Sequence, residues 1–209
     1  MTETAVVWFR RDLRTRDNPT LATACSADRI VPIYCFDPRR YGPRAFGGSK
    51  SFEYDGIGAG RAQFERESVV DLRRRLRDAG SDLLVRHGRP DEVMPDLLER
   101  VDADRLVFQT LALPQERTRE HQARTALPED ITVERHWTHT LHHVEDLPTP
   151  YDEMPDTFTP WRKEVEGESR VREPIGVPDV PPLPGDTPEI GPIPELDALG
   201  VVGAAFERR

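Results

Sequence analysis

The 209-residue sequence predicts an α/β protein: a five-stranded parallel, Rossmann-like sheet with helices on both faces, followed by an extended Pro-rich C-terminal strap. Three observations predict it. Short apolar runs alternate with helical patterns up to about residue 137, as repeated strand–helix units with right-handed crossovers do. The runs are continuous, so the strands are buried on both faces. Proline density then changes, from 8 in the first 136 residues to 12 in the 47 residues 148–194. Such a composition marks a linker or a strap around a larger body.

The elements follow in order. Residues 5–9 (AVVWF) form the first strand. Asn18 followed by Pro19 reads as a cap and a proline in the first turn, opening a short helix to about Cys25. Residues 30–36 (IVPIYCF) form the second strand, and 37–56 a long Gly/Pro/Arg-rich loop. A helix is expected over 57–79, with Phe64, Val69, Leu72, Leu76 and Ala79 on its apolar face and Gly80 as the residue after its end. Strands at 82–86, 105–109 and 131–136 alternate with helices at 91–101, carrying Val93, Leu97, Leu98 and Val101, and at 114–126. Beyond 137 the one helical candidate is 159–165, and residues 196–206, ending at Phe206, carry no strong element. The division expected is residues 1–137 as the α/β domain and 138–209 as an extended linker.

Composition limits function. The chain has 29 basic and 38 acidic residues, a net charge of −9, which argues against broad DNA binding by this chain alone. No run of 18 apolar residues exists, so no membrane span is expected, and the N-terminus lacks a secretory pattern. Cys25 and Cys35 are the only cysteines, which suits a reducing, cytoplasmic setting and no zinc site. Lys50 and Lys163 are the only lysines among the 29 basic residues. An Arg-rich, acid-rich surface fits a halophilic cytoplasm or a GC-rich genome equally well.

Several motifs were weighed for chemistry. Arg10, Arg11, Asp12 and Arg14 follow the first strand, where open α/β sheets place ligands. They read as a salt-bridged turn or as a phosphate patch. Gly56, Gly58 and Gly60 do not make a dinucleotide fingerprint, because Arg61 stands where the pattern needs glycine. Gln115 and Glu116 open the helix after the fourth strand, where an amide beside a carboxylate suits a heterocycle with adjacent donor and acceptor groups; the helix dipole alone also explains the acid. His136, His139, His142 and His143 lack the helical setting that would make 139 and 143 a metal pair, so a solvent-facing turn is expected and no metal site. No paired nucleophile and base is present, and no catalytic residue is assigned.

Three stretches together resemble the N-terminal domain of the DNA photolyase/cryptochrome family. The first is Val7-Trp8-Phe9-Arg10-Arg11-Asp12-Leu13-Arg14 with Asp17-Asn18. The second is Phe36-Asp37-Pro38, then Gly60-Arg61-Ala62 and Phe64, Asp71-Leu72-Arg73 and Gly80-Ser81-Asp82-Leu83. The third is Thr140-Leu141-His142-His143, Asp146-Leu147-Pro148, and Pro155-Asp156 with Phe158-Thr159-Pro160-Trp161-Arg162-Lys163-Glu164-Val165. This last run and the strap resemble the DASH-type cryptochromes most.

The resemblance implies a light-harvesting antenna domain whose linker leads to a larger helical domain. That domain, which binds FAD, acts on cyclobutane pyrimidine dimers or senses blue light, and contacts DNA, would lie outside these 209 residues. The antenna chromophore would be methenyltetrahydrofolate or a deazaflavin. Gln115 and Glu116 match the pair that binds the pterin ring, Phe36 and Asp37 match positions beside the antenna site, and Arg10 belongs to the opening motif. Residues 111–114 depart from the DASH pattern, which leaves the chromophore open. Trp8, Trp137 and Trp161 fall outside the family's tryptophan electron-transfer chain. Exposed Phe158, Trp161 and Val165 should make residues 149–209 open to proteolysis without a partner surface. The other reading is a stand-alone nucleotide-binding module resembling universal stress proteins or electron-transfer flavoproteins.

Overall fold

A computed structural model describes residues 2–46 and 52–201; Lys50 and Phe206 lie outside the described residues. Five strands, β1 (Thr4–Phe9), β2 (Arg29–Phe36), β5 (Leu84–His87), β6 (Arg105–Thr110) and β7 (Thr132–Trp137), form one sheet in the order β5-β2-β1-β6-β7. Every pairing in it is parallel. The crossovers carry helices α1 (Pro19–Ala24), α2 (Ala59–Asp78), α3 (Pro90–Arg100) and α4 (Pro114–Thr125).

Period-2 alternation along the strands feeds two cores. Ala5, Val7, Phe9, Ile30 and Tyr34 pack with Leu21 of α1 and Val69, Leu72 and Leu76 of α2. Val6, Trp8, Val31, Ile33 and Phe108 pack on the other face with Met94, Leu97 and Leu98 of α3 and Ala123 of α4. This two-sided burial is why the strands read as continuous apolar runs. Local signals hold where they were strongest. Asn18 caps α1 by accepting from the Leu21 N–H at 3.1 Å, with Pro19 in the first turn. Gly80, at φ +85°, closes α2, with the N–H of Gly80 on the Arg77 carbonyl and that of Ser81 on the Leu76 carbonyl.

Three expectations are corrected. The 37–56 loop contains a short helical turn (Pro38–Arg40) and an antiparallel hairpin, β3 (Pro43–Phe46) with β4 (Phe52–Asp55). On α2, Val69, Leu72 and Leu76 are buried as expected, but the ends of the face differ: Phe64 is 71% exposed, Ala79 is exposed, and Glu65 and Ala62 point inward. His136 lies in β7, as the strand expected over 131–136 has it, and is half-buried, so the solvent-facing turn expected for the four histidines does not include it.

Beyond β7 the chain forms α5 (Phe158–Glu168), longer than expected, and then runs without helix or strand to residue 201. It is docked on the domain. Leu183 and Ile190 join one core, and Ile193, Leu196, Leu199 and Val201 the other. The Val85 N–H donates to the Ile190 carbonyl at 2.8 Å, and Arg86 Nη2 to the Glu189 carbonyl at 2.8 Å. Residues 189–191 thereby cover the outer edge of β5, which would otherwise be open to pairing. Gly191 is required there: its φ is +82°, and a Cβ would stand 2.4 Å from the Val85 carbonyl oxygen. Phe158, by contrast, is 73% exposed. Among the described residues no helix is long and apolar enough to cross a membrane.

Candidate functional site

The chain runs outward from β1 in one direction to β2 and β5, then returns to add β6 and β7 on the other side. The crevice at the carboxyl ends of β1 and β6 is therefore the switch point where open α/β sheets bind ligands. Here the Arg10 side chain fills it. Arg10 is buried, its guanidinium 4.8 Å from the centre of the Trp8 ring. Its Nη1 donates to the Gln109 carbonyl at 2.9 Å and to Glu120 Oε2 at 3.2 Å. Its Nη2 donates to the Glu116 carbonyl at 3.1 Å and to Glu116 Oε2 at 3.2 Å. Burial lowers the Arg10 guanidinium below its ordinary value, against the opposing pull of Glu116 and Glu120.

Glu116 is buried at the first turn of α4 because its neighbours are arginines. Arg11 Nη2 reaches Oε1 at 2.5 Å and Arg119 Nη1 the same oxygen at 3.2 Å. Burial works to raise this carboxyl, but the hydrogen bond and charge of Arg11, with the charges of Arg10 and Arg119, outweigh it and bring it down to about 2. Arg119 also approaches Asp37 Oδ2 at 3.4 Å. Asp37 caps the turn after β2 through the Arg39 N–H and holds the Arg39 guanidinium at 2.7 Å. Arg39 extends the network to Asp91 at 2.9 Å. One chain of charges thus links the ends of β1, β2 and β6 to α3 and α4.

Of the five residues singled out in the sequence, three are brought into this network: Arg10, Asp37 and Glu116. Gln115 lies at the rim, exposed, because adjacent positions on a helix diverge by about 100°. Phe36 is fully buried, 4.9 Å from the Tyr34 ring, and reaches a ligand only through the residues above it. Sequence reasoning missed Arg119, Glu120 and Arg39. Glu120 lies one turn after Glu116 on the same face of α4, a spacing that could have shown it.

Beside the network, over β1, β2 and α2, a cleft of about 410 Å³ opens. Arg11, Asp12, Arg14, Tyr34, Arg61 and Phe64 are among the residues that line it. The Arg61 side chain has no hydrogen-bond or ion-pair partner among the described residues. The cleft's inner wall is a second buried cluster. Arg40 holds Glu65 with two bonds, at 2.7 and 2.8 Å, and the hydroxyls of Tyr34 and Tyr41 also donate to Glu65. A carboxylate has about four lone-pair sites. Three arginines occupy three of those on Glu116, which lines a small recess of about 30 Å³ with Arg10, Asp37 and Arg119 rather than the larger cleft. Among the described residues no group of three His, Cys, Asp or Glu could hold a metal ion.

The DNA photolyase family pattern matches residues 5–184. The chain is 48% identical over 202 residues to a cryptochrome DASH of Natronomonas pharaonis, covering 95% of this chain and 41% of the relative. It is 39% identical to a cryptochrome DASH of Gloeobacter violaceus, covering 100% of this chain and 41% of the relative. The crystal structure of a Synechocystis sp. PCC6803 cryptochrome superposes with a TM-score of 0.85 at 28% identity, covering 98% of this chain and 41% of that one. The chain thus spans about two fifths of the length of these relatives. Fold, ordered motifs and family match agree: this chain belongs to the DNA photolyase family, as a counterpart of its N-terminal domain.

Proposed function

We propose that the chain is the light-harvesting antenna module of a photolyase or cryptochrome-like flavoprotein. The observation that carries this reading is the 410 Å³ cleft at the carboxyl edge of the sheet, with an unpaired arginine, aromatic walls and a preorganised charged floor beside it. A site of that size, mixed in polarity and at the sheet's carboxyl edge, suits a planar heteroaromatic chromophore. Methenyltetrahydrofolate or a deazaflavin would supply near-UV absorption there. The protein's part is to orient it: Arg61, without a side-chain partner among the described residues, offers a cation from the cleft wall, and Gln115 and Glu116 stand beyond the cleft at the start of α4. Arg10, Phe36 and Asp37 hold the floor beneath.

In this reading residues 1–137 are the antenna unit, and 138–209 lead to a helical domain that binds FAD and, through it, DNA. Energy would pass from antenna to FAD, no covalent step would take place on these residues, and the protein would work in the cytoplasm. Exposed Phe158 and Leu141 would face that domain. The test is a titration of the purified chain with 5,10-methenyltetrahydrofolate and with a 5-deazaflavin, followed by near-UV absorbance. A saturable red shift for one chromophore, weakened by Arg61→Ser and Gln115→Ala, is expected. Flat titrations with both would remove the antenna role from this chain.

A further inference from the structure

A larger cleft lies against α4. It has a volume of about 760 Å³ between α4, β7 and the turn at 144–151, and it does not include the residues of the antenna cleft. We propose that it is a separate binding site for a nucleoside monophosphate: a planar base joined to a phosphate.

The first support is charge. Arg117 and Arg124 both line this cleft, seven residues apart on α4, with His121 between them and Arg135 facing them from β7. Neither Arg117 nor Arg124 has a hydrogen-bond or ion-pair partner among the described residues. Arg16, Arg29, Arg61, Arg100 and Arg170 also lack a side-chain partner among the described residues, but of these seven arginines only Arg117 and Arg124 line this cleft. Arg74 and Arg75 of α2 meet Asp71, and Arg77 meets Asp82. In a protein with 38 acidic residues and a net charge of −9, acids to neutralise them are plentiful. The carboxylates nearest in sequence face inward: Glu116 is committed to Arg10, Arg11 and Arg119, and Glu120 to Arg10, Thr110 and, at 3.2 Å, Arg135. Two free guanidiniums on one stripe therefore present fork-shaped donors matched to a phosphate.

The second support is the opposite wall. Trp137 and Tyr151 line the same cleft, with Leu111 and Val144. The Trp137 indole N–H donates to Thr140 Oγ1 at 2.6 Å, and the ring packs against His139 with centroids 4.1 Å apart, which fixes its place. An anchored indole beside an exposed tyrosine offers a stacking surface for a base. Aromatic groups on one wall and arginines on the other, in a cavity within the usual range for small ligands, select a compact molecule that carries both features.

The inference does not rest on the antenna reading, and its test is separate. The purified chain is titrated calorimetrically with AMP, adenosine and inorganic phosphate. AMP should bind at least about tenfold more tightly than either part alone, because one good charge-assisted bond corresponds to about a tenfold change. The double variant R117S/R124S should reduce AMP affinity about tenfold or more, and Trp137→Leu should reduce affinity for adenosine as well. Arg61→Ser, in the other cleft, should leave AMP binding unchanged while weakening any chromophore. Arg117 and Arg124 are exposed and unpaired, so unchanged thermal melting is the check on folding. AMP binding no tighter than phosphate would overturn the proposal, as would binding indifferent to R117S/R124S. Tight binding of a single-stranded oligonucleotide without AMP binding would overturn it in favour of a nucleic-acid surface.

Discussion

Helices α2 and α4 flank the same sheet on opposite faces, yet they are held by different forces. α2 buries Ala62, Val69, Leu72 and Leu76, with Glu65 as its one buried acid. α4 buries Glu116, Glu120 and Ala123. The first is fastened by apolar area, at about 25 cal/mol per Å² removed from water. The second is fastened by ion pairs whose carboxylates would be costly to bury without Arg10 and Arg11. Charge holds the helix that borders the 760 Å³ cleft, and apolar packing holds the helix that borders the 410 Å³ cleft and completes the core.

The comparison can be broken at its strongest point first. Arg10→Ala strands Glu116 and Glu120 in a buried site, so a loss of about 3–5 kcal/mol is expected in chemical denaturation. A loss below about 1 kcal/mol would mean that α4 is not held by these pairs. Leu72→Ala in α2 should cost about 2–4 kcal/mol through the cavity it leaves, with little dependence on pH.

Acid should separate the two helices. The Glu116 carboxyl is held at about 2 against an ordinary 4.5. A depressed folded value gives stabilisation that is complete above the unfolded value and is lost as pH falls through the folded one. Amides of α4 should thus lose hydrogen-exchange protection between about pH 4.5 and 2, while those of α2 keep theirs. Equal loss in both helices would refute the distinction. Gly191→Ala should cost about 1–3 kcal/mol and expose the Val85 amide to exchange, because the new Cβ meets the Val85 carbonyl. At the small end, Arg74→Ala on the solvent side of α2 should leave the unfolding midpoint unchanged, since its pairs with Asp71 and Asp78 are exposed.

The same contrast explains what could be read in the sequence. β1, β2 and β6 were legible because burial on both faces writes an apolar run, as in residues 5–9 and 30–36, whereas edge strand β7 mixes apolar and charged residues. Asn18-Pro19 and Gly80 were legible because caps depend on one or two residues. The start of the α2 face was misread because Phe64 looks apolar and Glu65 does not. Arg40, Tyr34 and Tyr41 make the acid the buried residue, and none of them lies near it in sequence. The hairpin of β3 and β4 was missed because its glycines and prolines read as loop. At the site, Arg10, Asp37 and Glu116 were singled out, whereas Arg119, Glu120 and Arg39 appear only once three strand ends converge.

The sequence by itself determined the parallel sheet, the caps and the family pattern, because local periodicity and ordered motifs survive without contacts. Only the tertiary structure decided that Arg10 plugs the switch point and that residues 189–191 close the edge of β5. It alone decided which arginines are paired and which are left free for a ligand. Each of these joins residues roughly a hundred positions apart, and the balance of desolvation against pairing that settles them exists only in the folded chain.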